Sequence, residues 1–129
     1  MLEIIHRKKK LTYKPDHLSA RLKERKHLFP SSHLLQDMWK EISAAIKDPQ
    51  KGIIIEDKRD GKNSTHVCVF VTEAGKIAAL PIAVNEDTIH VFTIKDVKND
   101  ENNPNWFIQN YNLVAEKRNM GKLPYIVIV

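Results

Sequence analysis

The chain has 129 residues, of which 42% are hydrophobic and 29% charged, with a formal net charge of +5. This suits one soluble domain with one core. It holds a single cysteine, Cys68, which excludes an internal disulfide, and no apolar run near the ~20 residues needed to span a bilayer. The composition therefore leads us to expect a cytoplasmic, non-membrane protein.

The charge is uneven. Residues 1–27 carry nine Lys or Arg against three acids, and the remainder is close to neutral. A concentrated positive region on a balanced domain points to a polyanion partner, with RNA or DNA the commonest. Arg7, Lys8, Lys9, Lys10, Lys14 and Lys26 are the candidate nucleic-acid contacts. Residues 1–14 read as a basic arm, with LEII as a candidate edge strand, and residues 15–129 as a single α+β domain.

Pro15-Asp16 predicts a helix start, with Leu18 and Leu22 on one stripe. Arg21 and Arg25 are four apart and share a face, with His17 one turn earlier. Phe29-Pro30 ends this helix. Ser31-Ser32 opens a second, in which Leu34, Leu35, Met38, Trp39, Ile42, Ala45 and Ile46 recur at helical spacing. Strands are predicted at GIIIED, THVCVFVT, Ile77–Val84 and TIHVFTIK, with tight turns between them. Asp60-Gly61 is a hairpin cue, and Pro81 argues for an edge or a bulge. A helix over Trp106–Lys117 and a last strand at PYIVIV complete the order. The expected fold is two N-terminal helices packed on one face of an antiparallel meander of four to five strands, with a late helix and a final strand.

Several chemistries lack their motif. There is no Gly-rich phosphate loop, CxxC, HExxH or GxSxG, and the six histidines show no ligand spacing. No metal or cofactor is expected. Glu56-Asp57-Lys58 with Asp60 resembles an acidic nuclease cluster only loosely, and reads better as a solvated hairpin end. Metal-free RNA cleavage remains open to these residues. The 2′-hydroxyl attacks its own phosphate, so a base, an acid and cations on the phosphate suffice. His17, Arg21 and Arg25 on one helical face are candidates, as are His90 and Thr93 on the fourth strand and Tyr111 on the last helix. The competing reading is a solvated helix face and a hydrogen-bonded His90. In the third strand His66, Cys68 and Phe70 face away from Val67, Val69 and Val71. In the fourth, His90, Phe92 and Ile94 face away from Ile89, Val91 and Thr93.

The segment HLSARLKER, a second helix ending in AAIKDPQKGI, then IIIED and the alternating THVCVFVT and TIHVFTIK strands resemble the barnase–EndoU–colicin E5/D–RelE nuclease superfamily. The likeness is to its phage-associated and RelE/ParE-like toxin branches and spans about residues 15–112. The resemblance implies a metal-independent ribonuclease of toxin type, neutralised by an acidic antitoxin or immunity protein. It places His17, Arg21, Arg25, Thr93 and His90 at the site. The Pro-broken link ERKHLFPSS and the extra helix and PYIVIV segment depart from the family pattern. The alternatives are a non-catalytic module binding nucleic acid or an acidic partner, and an accessory protein of a mobile element or secretion system.

Overall fold

A computed structural model describes residues 6–127. The elements run β1 (Lys10–Tyr13), α1 (Pro15–Glu24), a 3-10 turn (Lys26–Leu28), α2 (Leu35–Lys47), β2 (Gly52–Glu56), β3 (His66–Val71), β4 (Ile77–Val84), β5 (Thr88–Val91), β6 (Lys95–Asp96), the one-turn α3 (Val97–Asp100) and α4 (Pro104–Lys117). This is the α+β class expected. The sheet order is β1-β5-β4-β3-β2, with β6 also pairing to β4. The β2-to-β5 meander is antiparallel, whereas β1 joins β5 in parallel.

Alternation along the strands sends two apolar sets to opposite faces. Ile54, Cys68, Phe70, Leu80, Ile82, Ile89 and Val91 meet α1 and α2 through Leu18, Leu22, Met38, Ile42 and Ile46. Fully burying a side chain such as Ile42 stabilises by about 1.5–3 kcal/mol. Ile53, Ile55, Val67, Val69 and Ala79 meet α4 through Phe107, Tyr111 and Ala115. The helices therefore cover both faces rather than one. Both faces of β2 and β3 are apolar, and each needs its own cover.

The late helix packs against α3, the β2–β3 side of the sheet and the start of β4. Beyond it, α3 touches β4, and no helix among the described residues packs on the same face of β5 and β1.

Pro81 sits in the central strand, not at an edge. The β4–β5 register, continued by one pair, sets it opposite Phe92, whose N–H donates to Pro81 O at 3.1 Å. Pro81 has no N–H to return the bond. β5 stops there, and β6 resumes pairing at Lys95 with Ala79. The break shifts the phase, so Ile94 joins Ile89 and Val91 in the core, not the face of His90.

Three other expectations change. Residues 7–13 are no free arm: Lys10–Tyr13 form β1, and Arg7 is buried. Residues 124–127 form no strand, while residues 128–129 and the LEII segment lie outside the described residues. α2 starts at Leu35, capped by Leu34 backbone rather than by Ser31 or Ser32.

Candidate nucleic-acid interface

Residues paired across a ladder point to the same side of the sheet. The registers Lys10 with Thr88, Thr12 with His90, and Ala83 with His90 place these five side chains on the uncovered face. Thr12 Oγ1 and His90 Nδ1 share a hydrogen bond of 2.9 Å. That bond fixes the ring and leaves Nε2 without a hydrogen-bond partner among the described residues. Phe92 packs edge-on against His90 at 5.0 Å between ring centres. Lys95 is paired with Ala79 and adds a cation to the same face.

This surface runs into a cleft of about 660 Å³ lined by Phe92, Thr93, Trp106, the cations Lys95, Arg59 and Lys62, the carboxylates Asp100 and Glu101, and Asn63, Asn102 and Asn103. Thr93 Oγ1 is buried there and has no hydrogen-bond partner among the described residues.

One wall of the cleft is the β2–β3 loop, and a buried ion pair shapes it. The Asp57 side chain is 0% exposed and that of Arg59 is 19% exposed. Arg59 Nε and Nη2 each donate to one Asp57 oxygen at 2.8 Å, and Ser64 Oγ donates to Oδ2 at 2.5 Å. Burial pushes the Asp57 carboxyl up, but the hydrogen bonds from Arg59 and Ser64 outweigh it and hold the pKa down to about 2. The same pairing holds the Arg59 guanidinium above its ordinary value. Arg59 lies over Trp106 at 5.2 Å and Phe107 at 4.8 Å from the ring centres, a cation–π arrangement. Gly61, at φ 71°, makes the turn at the loop tip. Glu56, Lys58 and Asp60 are exposed, as expected of a solvated hairpin end, but Asp57 is the anchor of a buried clip. Arg59 two residues on and Ser64 seven on were the available signal.

The residues named from sequence divide. Thr93 and His90 lie on or beside this surface. Arg25 reaches its rim, with Nε donating to Asp100 Oδ2 at 2.5 Å. Burial raises the Asp100 carboxyl, but the Arg25 hydrogen bond prevails and lowers it. Arg21 donates to Glu24 at 2.7 Å, and His17 is exposed with no hydrogen bond or ion pair among the described residues. Both sit on α1, which packs on the other face of the sheet. Tyr111 is buried on α4 and lines a separate cavity of about 680 Å³ beside Glu41 and Lys51, where burial raises its pKa. The six residues named for catalysis do not share one cleft.

The basic segment divides as well. Lys8, Lys10, Lys14 and Lys26 are exposed, and Lys9 Nζ donates to Asn85 O at 2.6 Å. Arg7 serves the fold. Its Nη1 donates to Gly52 O at 2.8 Å and to Ile46 O at 3.3 Å, joining β2 to the last turn of α2. Arg7→Ala is expected to destabilise by about 2 kcal/mol, as for charged hydrogen bonds, and to leave affinity for nucleic acid unchanged. Chemical denaturation and a binding titration on one preparation check both halves. No family model matches the chain, and no curated protein or solved structure matches it.

Proposed function

We propose that this domain binds single-stranded RNA across the uncovered half of its sheet, with the adjoining cleft taking bases. The observation that carries this reading is that Lys10, Phe92 and Lys95 share the uncovered sheet face, which runs into a cleft walled by Arg59 of the β2–β3 loop and Trp106 of α4. Cations track a backbone while aromatic faces accept bases, and side-chain amides offer donors and acceptors to base edges. An acidic protein partner would compete for the same cations.

Fluorescence anisotropy with a short labelled RNA tests it. Affinity is expected to fall steeply with salt, since each neutralised phosphate releases counterions. Phe92→Ala is expected to weaken binding about tenfold, the loss of one stacked base. Salt-independent binding, or full affinity in Phe92→Ala, contradicts the assignment.

RNA cleavage is the second reading. His90, oriented by Thr12 and with Nε2 free on the same face, favours it. Such an imidazole can take the 2′-hydroxyl proton while Lys10 or Lys95 faces the phosphate. Neither His17 nor Tyr111 is on this face to protonate the leaving oxygen, so binding stands first. Incubation of end-labelled RNA in EDTA decides. Cleavage predicts cyclic-phosphate products that vanish in His90→Ala, and no cutting of DNA of the same sequence.

A further inference from the structure

The cleft beside the open sheet holds more hydrogen-bonding capacity than the protein itself uses. Thr93 Oγ1 is buried in its wall without a partner among the described residues. The Glu101 side chain is only 15% exposed, yet its one ion pair among the described residues is to Arg59 Nη1 at 3.7 Å, beyond hydrogen-bond reach. Arg59 is already committed, with Nε and Nη2 each donating to Asp57 at 2.8 Å. Asp100, the other carboxylate lining the cleft, accepts from Arg25 Nε at 2.5 Å and from Asp96 N at 2.7 Å. Of the two, Glu101 is therefore the one left without a donor among the described residues. Polar groups so little exposed are nearly always hydrogen-bonded, and an ionised carboxylate can only accept.

An RNA strand brings phosphates, hydroxyls and base edges. A phosphate beside Glu101 is disfavoured by like charge, and Lys10 and Lys95 on the open sheet suit the backbone better. A ribose 2′-hydroxyl donates, but Phe92 and Trp106 line the cleft with Glu101 and suit a flat base. Cytosine, adenine and guanine each carry an exocyclic amino group that can donate to a carboxylate. Uracil carries a carbonyl on each side of its single edge N–H, and Glu101 repels both. The Thr93 hydroxyl donates or accepts and so does not choose between bases. Lys62 and Lys95 also line the cleft and can donate to a carbonyl. Both are long, flexible stems with no hydrogen bond or ion pair among the described residues, free to follow phosphates instead.

Resting on the RNA reading above, we propose that Glu101 makes the cleft selective for an amino-bearing base, so that it takes cytosine in preference to uracil.

Anisotropy titrations at neutral pH with labelled short homopolymers of cytidine and of uridine, equal in length, test it. The two strands match in charge and ring size and differ at the base edge. The cytidine strand is expected to bind about tenfold more tightly, the contribution of one hydrogen bond to a charged group. Glu101→Gln, whose amide both donates and accepts, is expected to bring the two strands within about twofold of each other. Its salt slope is expected to match that of the unsubstituted chain, since no phosphate contact is lost. A cytidine preference that survives Glu101→Gln overturns the role of Glu101. Equal affinities in the unsubstituted chain, or tighter binding of the uridine strand, overturn the selectivity and leave RNA binding standing. No affinity for either strand overturns the RNA reading and this inference with it. If Glu101→Gln does not fold, a strand of N4,N4-dimethylcytidine, which has no amino N–H to give, takes its place. Its affinity is expected to fall to that of the uridine strand, and full affinity overturns the contact.

Discussion

Alanine in place of Gly52 is expected to destabilise the protein by about 3 kcal/mol or more, lowering Tm by roughly 10 °C. Gly52 opens β2 on the face covered by α2. A Cβ there would land on the carbonyl oxygen of Ala45 and 2.8 Å from Cys68 Sγ. The first neighbour is helix backbone and cannot step aside without moving α2. Gly52 O also accepts the Arg7 hydrogen bond, so any shift of β2 strains that link as well. Substitution at Gly121, which has open space around it, is the control and is expected to be near neutral. Thermal unfolding of the two variants measures the contrast. A Gly52→Ala chain as stable as the unsubstituted one would mean that α2 and β2 are not in this close contact.

Asp57→Asn is expected to lose about 3 kcal/mol, because it strands a largely buried guanidinium. The amide keeps the shape but removes the charge facing Arg59. Glu101, at 3.7 Å from Arg59 Nη1, is a distant substitute. Arg59 then leaves the Trp106 and Phe107 faces, and the cleft wall loosens. The same pair sets an acid limit. The Asp57 pKa lies at about 2 against an ordinary value of 3.8. Its contribution is therefore complete above pH 3.8 and is lost as pH falls through about 2. Denaturant titrations at stepped pH are expected to show this loss in the unsubstituted chain and its absence in Asp57→Asn. Asp96 and Asp100 add losses of the same sign, since burial raises both carboxyls and their hydrogen bonds, from His27 and Arg25 respectively, more than offset it. The difference between the two chains isolates Asp57.

Much of the fold was readable from periodicity. The alternation in THVCVFVT separates Cys68 and Phe70 from Val67 and Val69, and the two sets do reach opposite faces. The 3.6-residue stripe of α2 is equally plain. Period-based reading failed where a long-range contact decides. KLTY is short and carries charge, and it becomes strand β1 only because β5 offers a parallel edge nearly eighty residues away. PYIVIV has the β-branched content of a strand, yet Ile126, like Leu123 just before the segment, takes its backbone bonds from an asparagine side chain. Pro81 is tolerated centrally because its neighbour strand breaks beside it.

The candidate surface was legible in its residue types more than in its place. Positive charge near the start of the chain pointed to a polyanion, and Lys10 does face the open sheet. The helical stripe of His17, Arg21 and Arg25 said nothing about which side of the sheet α1 would cover. Only the packing of Leu18 and Leu22 beside Ile89 and Val91 settles that.

Chemical-shift mapping of the labelled chain with a short single-stranded RNA is the most direct test. Lys10, Thr12, Thr88, His90, Phe92, Lys95 and Trp106 are expected to shift together and to recover as salt is raised. Shifts confined to His17 and Arg21 on α1, or none at all, would contradict the account and leave Lys10 of β1 as edge-strand protection.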